Sequence, residues 1–168
     1  MLIQICGLPG TGKSTLAARL AGRRPVVLLG IDVIEAAMWR NGLTPGQTGV
    51  AAYSVAHAVA LPHLRRGQTV VADAVSAVGP ARQGWRGTAE HGGVPLRVIE
   101  TVCPDPAEHR RRVETRTSDI PGFPLPTWEQ VRTVAARYEA RDDDRLVVDT
   151  RRDPEDCVQD VLAYLDRP

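Results

Sequence analysis

The sequence predicts an α/β fold: one domain, residues 1–168, with five strands in a parallel sheet and helices on both faces. Three observations carry this. Short apolar runs of buried-strand type recur five times and alternate with helical stretches, the pattern that generates right-handed crossovers between parallel strands. The first run, Leu2-Ile3-Gln4-Ile5-Cys6, leads into Gly7-Leu8-Pro9-Gly10-Thr11-Gly12-Lys13-Ser14, and an alanine- and leucine-rich helix follows. Four strand ends carry polar residues suited to chemistry: this loop, Asp32, Asp73 and Asp149-Thr150. Ligands of open parallel sheets collect at those ends.

The loop reads G-x-x-x-x-G-K-S between a strand and a helix, the context of a phosphate-binding P-loop. Glycines let the backbone curl so that successive N–H groups form an anion nest. The helix beginning near Lys13 adds its positive N-terminal end. Gly10, Thr11, Gly12, Lys13, Ser14 and Thr15 are thus the expected contacts to a nucleoside triphosphate. Lys13 reaches the β- and γ-phosphates and the Ser14 hydroxyl ligates Mg²⁺. Lys13 is also the only lysine among the 21 Lys+Arg residues. A compact ammonium on a flexible stem suits that position better than a planar guanidinium.

Thr15 to Gly22 reads as the first helix, with Leu16 and Leu20 at i,i+4. Val26 to Leu29 is the second strand, and Val33 to Arg40 a short helix closed by Asn41-Gly42. Thr44-Pro45-Gly46 opens a long alanine-rich helix, 47–66, with Gly67 beyond its end. Gln68 to Asp73 is the third strand, and a helix starts at Pro80 and runs to about Glu90. Leu96 to Cys103 is the fourth strand, followed by a helix introduced by Pro104-Asp105-Pro106 that carries Arg110, Arg111, Arg112 and Arg116. Thr117 to Pro126 is a loop. Thr127 caps a helix to about Arg141 through a capping box with Gln130. Leu146 to Asp149 is the last strand, and Asp153-Pro154 starts the final helix.

Composition narrows the class. A net charge of +1 gives no field that would draw nucleic acid or an anionic membrane. No apolar run approaches the roughly 20 residues of a membrane span, and the chain opens directly into its first strand, so no signal peptide is expected. Cys6, Cys103 and Cys157 are odd in number and widely spaced. They read as reduced thiols of a cytoplasmic protein, and no histidine has metal-ligand spacing.

Several residues carry two readings. Asp32 can orient an acceptor hydroxyl and take its proton, or it can cap the following helix. Asp73 can hold Mg²⁺ through water, hydrogen-bond an acceptor hydroxyl, or simply end a strand. Arg112 and Arg116 are four apart, as on one helical face, ahead of a Pro/Gly-rich loop. They suit a lid, about 110–127, that brings guanidinium to a transferring phosphoryl group, or a solvated face paired with Glu108 and Glu114. Arg110 and Arg111 fit the solvated face. Arg82 follows the Asp73 strand end and could bind an anionic acceptor. Trp39, Arg40, Tyr53 and His57 lie in the segment that would overhang the acceptor; one or two of them could contact substrate, while each taken alone reads better as a core or surface packing residue.

GLPGTGKST, the Asp after strand two, the V-V-A-D strand, R-x-x-W-R and CPDPAEHRRRVETR together resemble the zeta-toxin/polynucleotide-kinase-like P-loop kinases, a group that includes chloramphenicol phosphotransferase and gluconate-kinase-like enzymes. The resemblance implies the strand order 2-3-1-4-5 and ATP–Mg²⁺ as phosphoryl donor. It implies a catalytic Asp32, lid arginines at 112 and 116, an acceptor contact at Asp73, and adenine near Thr150-Arg151-Arg152. The polynucleotide branch has an Arg a few residues after its catalytic Asp; here Arg40 is the first available. The expected activity is ATP- and Mg²⁺-dependent phosphorylation of a hydroxyl on a small molecule such as a nucleoside, sugar or antibiotic, by a monomer or homodimer. The alternatives are a 5′-hydroxyl kinase of nucleotides or polynucleotides and an ATP-dependent switch with slow hydrolysis.

Overall fold

β1 (Leu2–Cys6) is buried along its whole length because it is the central strand of the sheet. The computed structural model describes residues 1–167. β2 (Val27–Gly30) and β3 (Val70–Asp73) lie on one side of β1, and β4 (Leu96–Val102) and β5 (Leu146–Asp149) on the other. The order is 2-3-1-4-5 and all four pairings are parallel, as expected for α/β alternation.

Alternation along each strand divides the core. Ile3, Ile5, Val71, Ile99 and Val148 face one layer, made by α1 (Lys13–Ala21) and α7 (Pro154–Leu165). Leu2, Val70 and Ala72 face the other, made by α3 (Pro45–Arg65) and α4 (Gly79–Gly92). α3 meets the sheet through Ala52, Ala56, Ala60 and Leu64, an i,i+4 row fully or almost fully buried. Small side chains there let the helix approach closely, and Trp85 of α4, itself fully buried, fills the remaining space. No helix among the described residues is long and apolar enough to cross a membrane.

Several boundaries shift by one or two residues from expectation, and the differences at α2 and α6 bear on the site. α2 (Ile31–Arg40) begins two residues early, with Gly30 as its N-cap. Asp32 therefore sits inside the first turn, where its charge favours the helix N-terminus without capping it. α5 is Pro106–Thr115, and α6 stops at Ala136, having begun at Trp128 under the expected Thr127–Gln130 capping box. Tertiary bonds capture the residues that would have continued α6. Glu139 N–H donates to the Ala77 carbonyl at 2.9 Å, and the Glu139 carboxylate accepts from Gly79 N–H at 2.6 Å. Arg141, 1% exposed at its side chain, donates from Nη1 to Cys6 Sγ at 3.3 Å and pairs locally with Asp143, and Arg145 pairs with Glu100 at 2.6 Å. Buried charged bonds outweigh the last turn of a surface helix.

The register aligns the strand ends that matter. Ile5 and Gly30 both pair with Asp73, so the P-loop after β1, α2 after β2 and Asp73 at the end of β3 share one rim.

Candidate functional site

The P-loop is shaped by its glycines. Gly7, Gly10 and Gly12 have φ of 133°, 84° and 88°, values a side chain strongly disfavours. A Cβ on Gly10 would meet Val113 Cγ2 at 2.5 Å, so α5 packs onto the loop itself. Thr11 Oγ1 donates to the Leu8 carbonyl at 2.8 Å and lies 2.7 Å from Thr101 Oγ1 on β4. His109 of α5 donates from Nε2 to the Pro9 carbonyl at 2.8 Å, its ring edge-on to Trp128. The nest is thus held by β4 below and α5 above. Lys13 Nζ donates to Leu8 O at 3.0 Å, folded over the loop whose phosphate it would meet. Burial lowers its pKa, opposed by Asp73 and Asp32.

A cavity of about 370 Å³ opens over the loop, lined by Gly10, Gly12, Lys13, Ser14, Arg112 and Arg116 among others. Arg112 is held rigidly: Nε donates to Glu108 at 2.7 Å, and Nη1 and Nη2 donate to Thr150 Oγ1 and O at 3.0 and 3.1 Å. Arg111 shares Glu108, which the two guanidiniums hold down to a pKa of about 2, and Arg110 pairs with Glu114. The solvated-face pairing is therefore present beside the cavity. Arg116 differs. It is the extended C-cap residue of α5, past the helical face, and its Nε is buried without a hydrogen-bond partner among the described residues. Burial lowers its pKa while Asp32 raises it. A buried, unsatisfied guanidinium N–H beside Lys13 and a phosphate nest fits a polyanion.

A second cavity, about 180 Å³, continues between α1, α5 and the β5–α7 turn, lined by Gly12, Thr15, Thr150 and Pro154. Thr150 is fixed there by its Oγ1 contacts with the Thr11 and Val102 carbonyls, 2.9 and 3.2 Å.

Asp32 stands where two further cavities meet. One, about 380 Å³, also takes in Ser14, Asp73, Asp119 and Ile120. The other, about 610 Å³, is mostly apolar and lies between α2, α3 and the turn from β3 to α4; Glu35, Val50, Tyr53, His57 and Val78 line it. Asp32 is exposed to this cleft, yet the surrounding protein raises its pKa by desolvation, opposed by Lys13 and Arg116 and reinforced by Asp73. Glu35 is likewise raised by burial and by Asp32. Tyr53 OH accepts from Ser76 N–H at 3.1 Å, and His57 is braced by Thr88 at 2.9 Å and by Trp85.

The rim thus brings together Lys13, Ser14, Asp32, Asp73 and Arg116, with Arg112 behind them. Three expected contacts lie elsewhere. Arg82 is 7% exposed and donates to the carbonyls of Ser76, Ala77, Glu139 and Ala140 at 2.7–3.0 Å. It builds the β3–α4 turn and is not presented to an acceptor. Arg40 donates to the Pro121 carbonyl at 3.2 Å, beside a Trp39–Phe123 stack at 4.9 Å. Both hold the 116–127 segment against α2. Arg152 pairs with Asp160 on the surface, while its neighbour Thr150 lines the second cavity. Sequence reasoning passed over Glu35, His109 and Phe123. Glu35 alone left a trace, one helical turn after Asp32 on the same face.

A 2-3-1-4-5 parallel sheet with this loop defines a P-loop nucleotide-binding fold. Within that class the chain belongs to the AAA domain family (AAA_33), whose model matches residues 2–141. No curated protein matches the chain. Solved structures are similar across almost its whole length. A provisionally named kinase from Chloroflexus aurantiacus is 21% identical with a TM-score of 0.79, covering 98% of each chain. A gluconokinase from Sinorhizobium meliloti is 19% identical with a TM-score of 0.70, covering 97% of this chain and 90% of that one. The APS kinase CysC of Mycobacterium tuberculosis, in complex with AMPPNP and APS, is 16% identical with a TM-score of 0.70, covering 99% and 97%. At these identities the likeness is one of fold.

Proposed function

We propose that the protein is an ATP- and Mg²⁺-dependent kinase that transfers the γ-phosphate to a hydroxyl of a small molecule. The observation that carries this reading is the position of Asp32. One carboxylate borders the cavity that contains Ser14 and Asp73 and also the apolar cavity behind α2. A carboxylate between a phosphate nest and an apolar cavity is where an acceptor hydroxyl must be oriented.

In this reading the P-loop N–H groups, Lys13 and Arg116 hold the β- and γ-phosphates, with Arg112 completing the positive wall. Adenine enters the cavity at Thr150. Ser14 and Asp73 would hold Mg²⁺, which when bound neutralises charge on the β- and γ-oxygens. Asp32 accepts a hydrogen bond from the acceptor hydroxyl, points its oxygen at the γ-phosphorus and takes the proton as the O–P bond forms and the bond to ADP breaks. The raised pKa of Asp32 suits a proton acceptor that must also release that proton. The 116–127 segment, held to α2 by Arg40 and Trp39, acts as the lid that keeps water from the γ-phosphate.

The fold relatives named a gluconokinase and an APS kinase support the reaction type and leave the acceptor open. The test is transfer of labelled γ-phosphate from ATP–Mg²⁺ to a panel of nucleosides, sugars, hydroxylated aromatics and a 5′-hydroxyl oligonucleotide. Wild type should label at least one acceptor. Asp32→Asn should lose about 10²-fold or more of that rate while still binding nucleotide. Slow hydrolysis indifferent to every acceptor and to Asp32→Asn would overturn the proposal in favour of a nucleotide-dependent switch.

A further inference from the structure

The walls on the acceptor side carry an unusual charge pattern. The two cavities that meet at Asp32 contain the carboxylates of Asp32, Glu35, Asp73 and Asp119, and neither is lined by a lysine or an arginine. The two cations that sequence position offered are engaged elsewhere: Arg82 by four carbonyls and Arg40 by Pro121. The larger cavity is otherwise apolar. Val50 is 88% exposed and Val78 37% exposed at its open edge, so water covers hydrocarbon there that a ligand would cover better. The polar groups inside are few: Tyr53, Ser54, His57, Asp32 and Glu35, and two of them are fixed. Tyr53 OH is bonded to Ser76 N–H. His57 Nδ1 is bonded to Thr88 Oγ1, and Gly84 leaves room for the His57 ring, since a Cβ there would stand 2.6 Å from Nε2. Glu35 has only the Thr48 hydroxyl, at 3.5 Å, and no cation pairs with it among the described residues.

We infer that the acceptor is an alcohol with an apolar body and a net charge of zero or above, and that Glu35 sets this selection by disfavouring anions. This rests on the kinase reading for the chemistry, but the pocket makes its own prediction. An acidic sugar or a nucleotide phosphate would bring a negative charge among carboxylates in cavities whose linings supply no guanidinium, and would leave most of its hydroxyls against apolar side chains. An aromatic or branched aliphatic alcohol covers Val50 and Val78, places its hydroxyl at Asp32, and directs an ammonium group, where it has one, to Glu35.

The experiment uses one carbon skeleton at three charges: 2-amino-3-phenylpropan-1-ol, 3-phenylpropane-1,2-diol and 3-phenyllactate. Calorimetry gives their affinities for the protein loaded with AMPPNP–Mg²⁺, and labelled ATP gives transfer rates, with D-gluconate as a polar acid. The ammonium and neutral alcohols should bind at least tenfold tighter than 3-phenyllactate. Glu35→Gln should cut the ammonium-to-carboxylate ratio at least fivefold, and Val50→Asp, an exposed change that leaves the core intact, should weaken the neutral alcohol. Equal binding of 3-phenyllactate, an unchanged ratio in Glu35→Gln, or no binding by any of the three would overturn the inference. Transfer to D-gluconate in preference to all three would do so while leaving the kinase reading in place. Charge-selective binding with no phosphoryl transfer would instead defeat the kinase reading and keep the pocket assignment.

Discussion

The two halves of the cleft are built on opposite principles. On the P-loop side, Lys13, Arg112 and Arg116 face a cavity over consecutive backbone N–H groups, and bonds from Thr101 of β4, His109 of α5 and Thr150 after β5 brace that loop. On the other side of Asp32 the lining is hydrocarbon and carboxylate, drawn from α2, α3 and the β3–α4 turn. A site that must hold a polyanion of fixed shape concentrates charge on a short stretch of chain. A site that must choose among small molecules is assembled from distant segments, and its selectivity lies in shape and in charges left out.

The largest effect should come from the cationic half. Lys13→Ala removes the buried ammonium from the nest and should reduce phosphoryl transfer on the order of 10³-fold. Unfolding measured in parallel should change far less, because among the described residues Lys13 hydrogen-bonds only a carbonyl of its own loop. Transfer within a few fold of wild type would show that the P-loop half does not carry donor chemistry.

Arg82→Met tests the other half through its scaffold. Four carbonyls lose a buried charged donor, so the variant should be destabilised by about 3 kcal/mol in denaturant titration. Ser76 adopts φ of 49° and is held by Gln4, Tyr53 and Arg82, so the turn that walls the apolar cavity should loosen with it. Acceptor KM should rise while the nucleotide Kd stays within about twofold. A change in both together would mean that the halves are mechanically one.

This division explains what the sequence made legible. The P-loop, its strand and its helix are consecutive residues, so their geometry is local and readable. The strand order followed from resemblance and is what the sheet shows. The role of Arg82 is hidden because its position after a strand end is local information, whereas the turn that curls carbonyls around it depends on Gln4 and Tyr53, 78 and 29 residues away in number. α6 is shorter than the sequence predicts for the same reason: Glu139 and Arg141 favour helix in isolation, and only the folded chain offers Glu139 the Ala77 carbonyl and Gly79 N–H and offers Arg141 the Cys6 Sγ at 3.3 Å. Glu35 carries a signal at i+3 from Asp32, but no periodicity reveals that the cavity it lines holds no lysine or arginine.

His109 sharpens the comparison at finer scale, since it belongs to the donor half without touching its cavity. His109→Phe keeps the ring beside Trp128 and removes the hydrogen bond to Pro9 O. The loss should be about 1 kcal/mol, seen as roughly fivefold weaker nucleotide binding. His109→Gln, which restores an N–H donor, should recover part of it, and acceptor affinity should not move in either variant.

The smallest effect concerns the carboxylates themselves. Asp32 and Glu35 both have pKa values raised above their ordinary range, chiefly by desolvation and further by like charge. A carboxyl whose folded pKa is raised binds its proton more tightly in the folded chain. The stability it contributes is full below the unfolded value of about 4.3 for Glu and is lost as pH rises through the folded one. At neutral pH the pair therefore opposes folding. Glu35→Gln should raise Tm by about 1–2 °C at pH 7, a shift set by roughly half a kcal/mol in a chain of this size and kept small by solvent in the open cleft. The gain should shrink steadily as pH falls to about 4, where wild-type Glu35 is also neutral. A gain independent of pH would point to packing as its source. A loss of stability at pH 7 would mean that Glu35 meets a cation in the folded chain, and the acceptor half would then be less different from the donor half than its lining indicates.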